Sequence, residues 1–221
     1  MMLVLVQSTD ALPMTSKEYL NQLVKDLVKP ALRAEGFSTA GTTFRKPETG
    51  FVKVFNLQHS QFNYANTASF YLNLGLFFPY SYTSFMSDWM REDVDTPPQP
   101  RITDCQRNFR VDALTNQPEV LLIDDFTDRD AFAERLRVLI CDYALPYFRY
   151  FQQVEDFLEV NDGVYGQQAD ELPLAHVVIA LHELGRRAEA RELLRRLVES
   201  EQPADQLQRL QRAAQRHGID V

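Results

Sequence analysis

Residues 70–78 (FYLNLGLFF) leave the chain few structural options. In an extended backbone Phe70, Leu72, Leu74, Leu76 and Phe78 share one pleat face, and Ser69, Tyr71, Asn73 and Gly75 share the other. That alternation predicts a half-buried antiparallel strand. Residues 51–58 (FVKVFNLQ) carry β-branched and aromatic residues on both faces and predict a second strand. The Ser-, Asn- and Gln-rich stretch 59–69 would join the two as a long-looped hairpin. Its apolar face needs a cover, and the amphipathic segments on either side are the candidates.

Thr15 and Glu18 fit a capping box, after which Tyr19, Leu20, Leu23, Val24, Leu27, Ala31 and Leu32 repeat with helical period up to Gly36. Pro30 falls inside this pattern and predicts a kink or break near Lys29, while residues 1–13 read as a frayed extension. Residues 41–46 predict a short strand and 47–50 a turn, with Phe37, Phe44 and Phe51 sealing helix to sheet. Residues 79–104 lose periodicity and hold four prolines. They predict a long loop, with a short helix over 84–91, that displays Tyr80, Tyr82, Phe85, Trp89 and Met90. Residues 108–113 and 119–124 predict two more strands joined by a turn at 115–118. Asp128 then caps a helix bearing Phe132, Leu136, Leu139 and Ile140, which Pro146 should bend or end. Past residue 166 the texture turns to Leu, Ala, Glu and Arg in three apolar stripes. The chain therefore reads as α+β. An antiparallel β-meander of about five strands flanked by two main helices fills residues 1–165, and an all-helical appendage fills 166–221.

The net charge of −8 is unevenly spread. Residues 88–171 hold eight Arg against nineteen Asp and Glu, whereas 186–216 hold eight Arg against five acids. An acidic middle repels phosphate backbones, which argues against nucleic acid and for a basic protein partner. Cys105 and Cys141 have no ligand spacing and read as reduced thiols. The apolar opening, residues 1–6, is too short for a signal-peptide core, and no stretch approaches a membrane span, so a cytoplasmic protein without membrane contact is expected.

Known catalytic patterns fail when tried. His182 and Glu183 open a zinc-protease motif whose second histidine position holds Arg186. Asp124, Asp125, Asp128 and Asp130 lack the glycine and terminal Glu of a calcium loop, and a strand end plus a helix cap explains them. No phosphate-cradling Gly loop or nucleophile elbow occurs, and no cofactor or metal is implied. The best polar cluster is Asn56, Gln58, Tyr71 and Asn73, with His59 and Ser60 beside it, on adjacent strands. It reads as either a recognition surface or amides bonding one another. With the aromatic anchors Tyr80, Tyr82 and Trp89 it forms the candidate binding set. The leading expectation is a non-enzymatic protein-interaction protein, of the antitoxin or immunity kind, binding a basic partner. The alternative is an enzyme or small-ligand binder using the polar face of the central hairpin.

Gly36-Phe37, Phe44-Arg45, the NLQ of 56–58 with Ser60, Phe70 with the NLG of 73–75, and residues 104–110 (DCQRNFR) together resemble a bacterial domain-of-unknown-function family over residues 16–150. That resemblance implies an α+β domain without an assigned catalytic constellation. Residues 181–190 (LHELGRRAEA), followed by Leu194, Leu197 and Pro203, resemble a single tetratricopeptide-type hairpin. One such unit cannot bury its own faces, so it must dock on the main domain, on a third helix, or on another copy as a homo-oligomer.

Overall fold

The computed structural model describes residues 14–61, 63, 64, 66–90, 94–115, 121–159, 174–200 and 204–220, without the side chains of 87–90, 159 and 204–206. Helix α1 (Ser16–Leu23) starts at the expected box. Glu18 N–H donates to Thr15 Oγ1 (3.2 Å) and Thr15 N–H to Glu18 Oε2 (2.9 Å). The helix then passes through a wide π-turn, Val24–Val28, into α2 (Lys29–Ala34). It closes where Gly36 takes φ +86° and Phe37 N–H reaches Leu32 O (3.0 Å). Of the kink or break expected near Lys29, the break is absent, and the helix is instead irregular over the turn just before it. Pro30 has no N–H to offer the preceding turn and its ring crowds that turn's carbonyl; widening the turn just before it absorbs both defects.

Strands β1 (Ser38–Ala40), β2 (Thr43–Glu48), β3 (Phe51–His59) and β4 (Ala68–Phe77) form an antiparallel meander. The β2–β3 turn is only Thr49 and Gly50, because Glu48 already pairs with Phe51; Pro47 sits inside β2 and not in the turn. The segment expected as a long loop opens with helix α3 (Pro79–Met90), which Pro79 can begin because a first helical residue needs no N–H. Beyond it come β5 (Arg107–Arg110), the single turn α4 (Asp112–Thr115) and β6 (Leu121–Ile123). The last two strands do not form the expected hairpin. Both are antiparallel to β4, so they run in the same direction: Arg110 pairs with Asn73, Val111 N–H donates to Leu72 O (2.9 Å), and Leu121 pairs with Phe70. They are one edge lane interrupted opposite Tyr71. Residues 116–118 of the expected connecting turn, and the first two of the strand expected at 119–124, lie outside the described residues.

Asp128 caps helix α5 (Arg129–Val138) through Asp130 N–H and Ala131 N–H, both 3.1 Å. A second π-turn, Leu139–Ala144, leads into α6 (Leu145–Tyr150), so Pro146 neither ends the helix nor breaks it. A short α7 (Asp156–Glu159) follows. The expected domain boundary at residues 165–166 lies outside the described residues. Beyond it α8 (Leu174–Glu183) and α9 (Arg187–Glu199) make a helical hairpin around Gly185, whose φ is +81°, and α10 (Ala204–Arg216) follows.

Phe44, Phe55, Leu57, Phe70, Leu72 and Leu74 face the helices, and the same apolar cluster runs on into Val177, Leu194 and Ala213 of the tail. Phe37, Phe44 and Phe51 are buried as expected, packing edge-on or tilted against Phe148, Phe55 and Phe157. The tail closes tightly over the β2–β3 turn. A Cβ at Gly50, whose φ is +91°, would lie 2.7 Å from Val154 Cγ2 and 3.2 Å from Leu184 Cδ1. Charged groups share this face: Arg107, opposite Leu76 in register, is 8% exposed. Lys53 is 1% exposed and donates to Glu48 Oε1 (2.6 Å), which Lys46 also approaches (3.2 Å).

Candidate functional site: the open half of the second sheet face

The register places Val52, Val54, Asn56 and Gln58 of β3 on the second face, with Tyr71, Asn73, Gly75 and Phe77 of β4. This face is divided. Its apolar half is closed by α3 and residues 94–105, where Val54, Phe77, Tyr82 and Cys105 form a second small core backed by Val52, Met86, Val94 and Ile102. Gly75 allows the closure, because a Cβ there would stand 2.6 Å from Cys105 Sγ and 2.7 Å from Ile102 Cδ1. Arg45 Nε donates to Pro100 O (2.7 Å) and pins the border. Burial pushes the Cys105 thiol well above its ordinary range, which keeps it protonated and inert.

The polar half carries the row anticipated from sequence. Asn73 Nδ2 donates to Asn56 Oδ1 (3.2 Å) and Gln58 Oε1 (3.0 Å), and Asn56 Nδ2 donates to Thr43 Oγ1 (3.0 Å). Asn73 is 7% exposed, Asn56 and Tyr71 are half-buried, and Gln58 is exposed at the end of the row. Arg110, opposite Asn73 in register, lays its guanidinium 3.8 Å from the centroid of the Tyr71 ring. The amides thus hold one another in fixed orientations, and Gln58 Nε2 and the Arg110–Tyr71 stack stand at the accessible margin. Thr43 and Arg110 were missed by sequence reasoning. Both lie inside the strands expected at 41–46 and 108–113, but only the pairing register sets them beside Asn56 and Asn73.

The aromatic anchors separate. Tyr80 is 41% exposed on α3, whereas Tyr82 is 7% exposed, 5.3 Å from Phe77, and belongs to the second core. The Trp89 side chain lies outside the described residues. Among the described residues no three His, Cys, Asp or Glu side chains gather to hold a metal ion.

Helix α3 joins the tail through two Ser–His bonds that no sequence signal announces. Ser81 Oγ lies 2.7 Å from His176 Nδ1, and the imidazole packs against Phe78 and Phe85 with centroids at 5.8 and 4.3 Å. Burial pushes the His176 pKa down to about 3, so the ring is neutral. Ser84 Oγ lies 2.7 Å from His217 Nε2, whose Nδ1 is 2.7 Å from Glu183 Oε1. Hydroxyl, imidazole and carboxylate in that order can activate a serine nucleophile, but acyl transfer also needs free amide donors for the oxyanion. Here Leu184, Gly185, His217, Gly218 and Ile219 N–H are spent on Ala180, His182, Ala214, Gln215 and Ala214 carbonyls. The chain ties α3, α8 and α10 together.

A six-stranded antiparallel sheet with helices over one face and a half-shuttered second face defines an α+β protein with an exposed amide row. The chain belongs to the family described as Domain of unknown function (DUF4304), whose model matches residues 28–150. That span holds the whole sheet and Ser84, while Glu183 and His217 fall beyond it. Neither a curated protein nor a solved structure matches the chain. Among the described residues no helix is long and apolar enough to cross a membrane.

Proposed function

We propose that this is a non-enzymatic protein-interaction protein, of the antitoxin or immunity kind, that holds a basic protein partner on the open half of its second sheet face. The observation that carries the reading is the amide row Thr43, Asn56, Asn73 and Gln58, flanked by the Arg110–Tyr71 stack. Groups already fixed by one another lose little freedom when a partner docks, which favours recognition. The excess of acids over residues 88–171 supports a basic partner and speaks against nucleic acid, and a cytoplasmic setting is part of the same proposal. The tetratricopeptide-like hairpin α8–α9 then serves as a brace, since its apolar faces are taken up by the main core.

The test places a photo-crosslinking residue at Gln58 or Arg110 in the native host, with Lys17 on α1 as the control position. One basic protein captured from both test positions, and lost with the double substitution Tyr71→Ala/Arg110→Ala, is the expected result. No capture, or equal capture from Lys17, would defeat the proposal.

A further inference from the structure

Phe126 is 96% exposed, yet the turn that carries it is firmly built. Asp124 Oδ1 accepts from Phe126 N–H (3.0 Å) and the Thr127 hydroxyl (2.8 Å), and Thr127 Oγ1 accepts from Asp124 N–H (2.8 Å). Asn66 Nδ2 donates to Asp125 Oδ2 (3.2 Å), which ties the turn to the β3–β4 loop, where Tyr64 is 75% exposed. A floppy loop would let these rings find cover. A braced turn instead holds the phenyl ring in water, an arrangement that association would relieve.

The ring has a negative rim. Asp125, Asp128 and Asp130 are exposed and Asp124 is half-exposed. Arg129, the only cation between residues 124 and 130, is drawn back over the Tyr19 ring (4.9 Å) and donates to Met14 O. The matching surface is on the same chain. Helix α9 sets Arg187 and Arg191 one turn apart, both exposed. Arg195 is held by Glu192 and Glu199, and Arg186 by Glu189 and Glu155, whereas no carboxylate among the described residues pairs with Arg187 or Arg191. Guanidinium groups both stack on aromatic rings and grip carboxylates, so this stripe complements an acid-rimmed phenyl ring on both counts.

We propose that a second copy of the chain occupies this surface: the Phe126 turn of one copy packs against Arg187 and Arg191 of the other, with Asp125 and Asp130 facing the guanidinium groups. Knob and stripe are different surfaces, so a two-fold axis encloses two such contacts in one dimer, and any other operator runs on head to tail. The proposal uses neither the open sheet face nor an outside partner, so its failure leaves the proposed function standing.

Sedimentation velocity on the full chain over a range of concentrations tests it. At about 50 mM salt the chain is expected to sediment above monomer mass, and at about 500 mM to return to monomer. Phe126→Ser, and separately Arg187→Glu/Arg191→Glu, are each expected to weaken association by about tenfold or more, since a few central residues carry most of an interface's affinity. Asp125→Arg/Asp130→Arg should also fail to self-associate, but its mixture with Arg187→Glu/Arg191→Glu should associate, because the mixture restores opposite charge at both contacts. All five positions are exposed, and circular dichroism checks that each variant is folded. A wild type that stays monomeric at low salt overturns the proposal. So does association that survives both the Phe126 and the arginine variants, or a charge-swapped mixture that stays apart.

Discussion

Mild acid is expected to destabilise this protein through His176. The ring is enclosed by Phe78, Phe85 and Ser81, and burial lowers its pKa from 6.5 to about 3. Between those two values the unfolded chain holds a proton that the folded chain refuses, so stability falls as pH drops below the ordinary histidine range and levels off only beneath the folded value. Each pH unit in that window costs about 1.4 kcal/mol, so moving from about pH 7 to about pH 5 should cost about 2 kcal/mol at this residue. Glu18 and Glu35, held below the ordinary carboxylate range by the Thr15 amide and by Arg149, respond at lower pH and hardly contribute in this interval. The perturbation is His176→Phe, which places an apolar ring between Phe78 and Phe85 and leaves Ser81 Oγ its bond to Phe78 O (3.3 Å). Urea unfolding of wild type and variant at both pH values is the assay, with the slope checked for constancy. Any packing cost of the larger ring appears at both pH values and cancels. Wild type should lose about 2 kcal/mol more than the variant. An equal loss in the two proteins would refute the reasoning.

Gly75→Ala drives a methyl group into Cys105 and Ile102 and should cost about 1–3 kcal/mol; in a Cys141→Ser background it should also raise the rate at which Cys105 reacts with a thiol reagent. Glu48→Gln leaves the Lys53 ammonium buried without its carboxylate and should lower stability by about 3 kcal/mol, whereas Lys53→Met should stay within about 1 kcal/mol of wild type; thermal melts separate the two. Ser84→Ala removes one of the two partners of His217 and should cost about 1 kcal/mol, with hydrogen exchange quickening in α10 before it quickens in β3 or β4.

Local chemistry was legible from the sequence wherever one residue type has one job. Thr15 and Glu18, Gly36, and Asp128 act as read, because capping depends on neighbours a few residues away. Strand alternation also put Asn56, Gln58, Tyr71 and Asn73 on one face, since a period of two survives without knowledge of the partner strand. The interrupted edge lane was not legible: residues 108–113 and 119–124 look like two arms of a hairpin, and only their shared partner β4 reveals one lane. Nor was the role of α3. Pro79 and the aromatic run looked like loop chemistry, because this helix has apolar partners in two directions, Tyr82 toward the second core and Phe85 toward the tail, and so lacks a single stripe. The Ser84–His217–Glu183 chain joins residues far apart in sequence and leaves no local trace.

The two widened turns, Val24–Val28 and Leu139–Ala144, stand immediately before α2 and α6, the segments that carry Pro30 and Pro146. A turn with a longer repeat shifts the phase of everything after it, so the stripes before and after each proline cannot be extended across it on one helical wheel. Length changes should therefore be unequal in effect along these rods. Deleting one residue within Val24–Val28 would let the wide turn tighten to an ordinary one and keep Leu32 on the sheet, whereas a second deletion there, with no slack left to absorb it, would swing Leu32 away by about a quarter of a revolution.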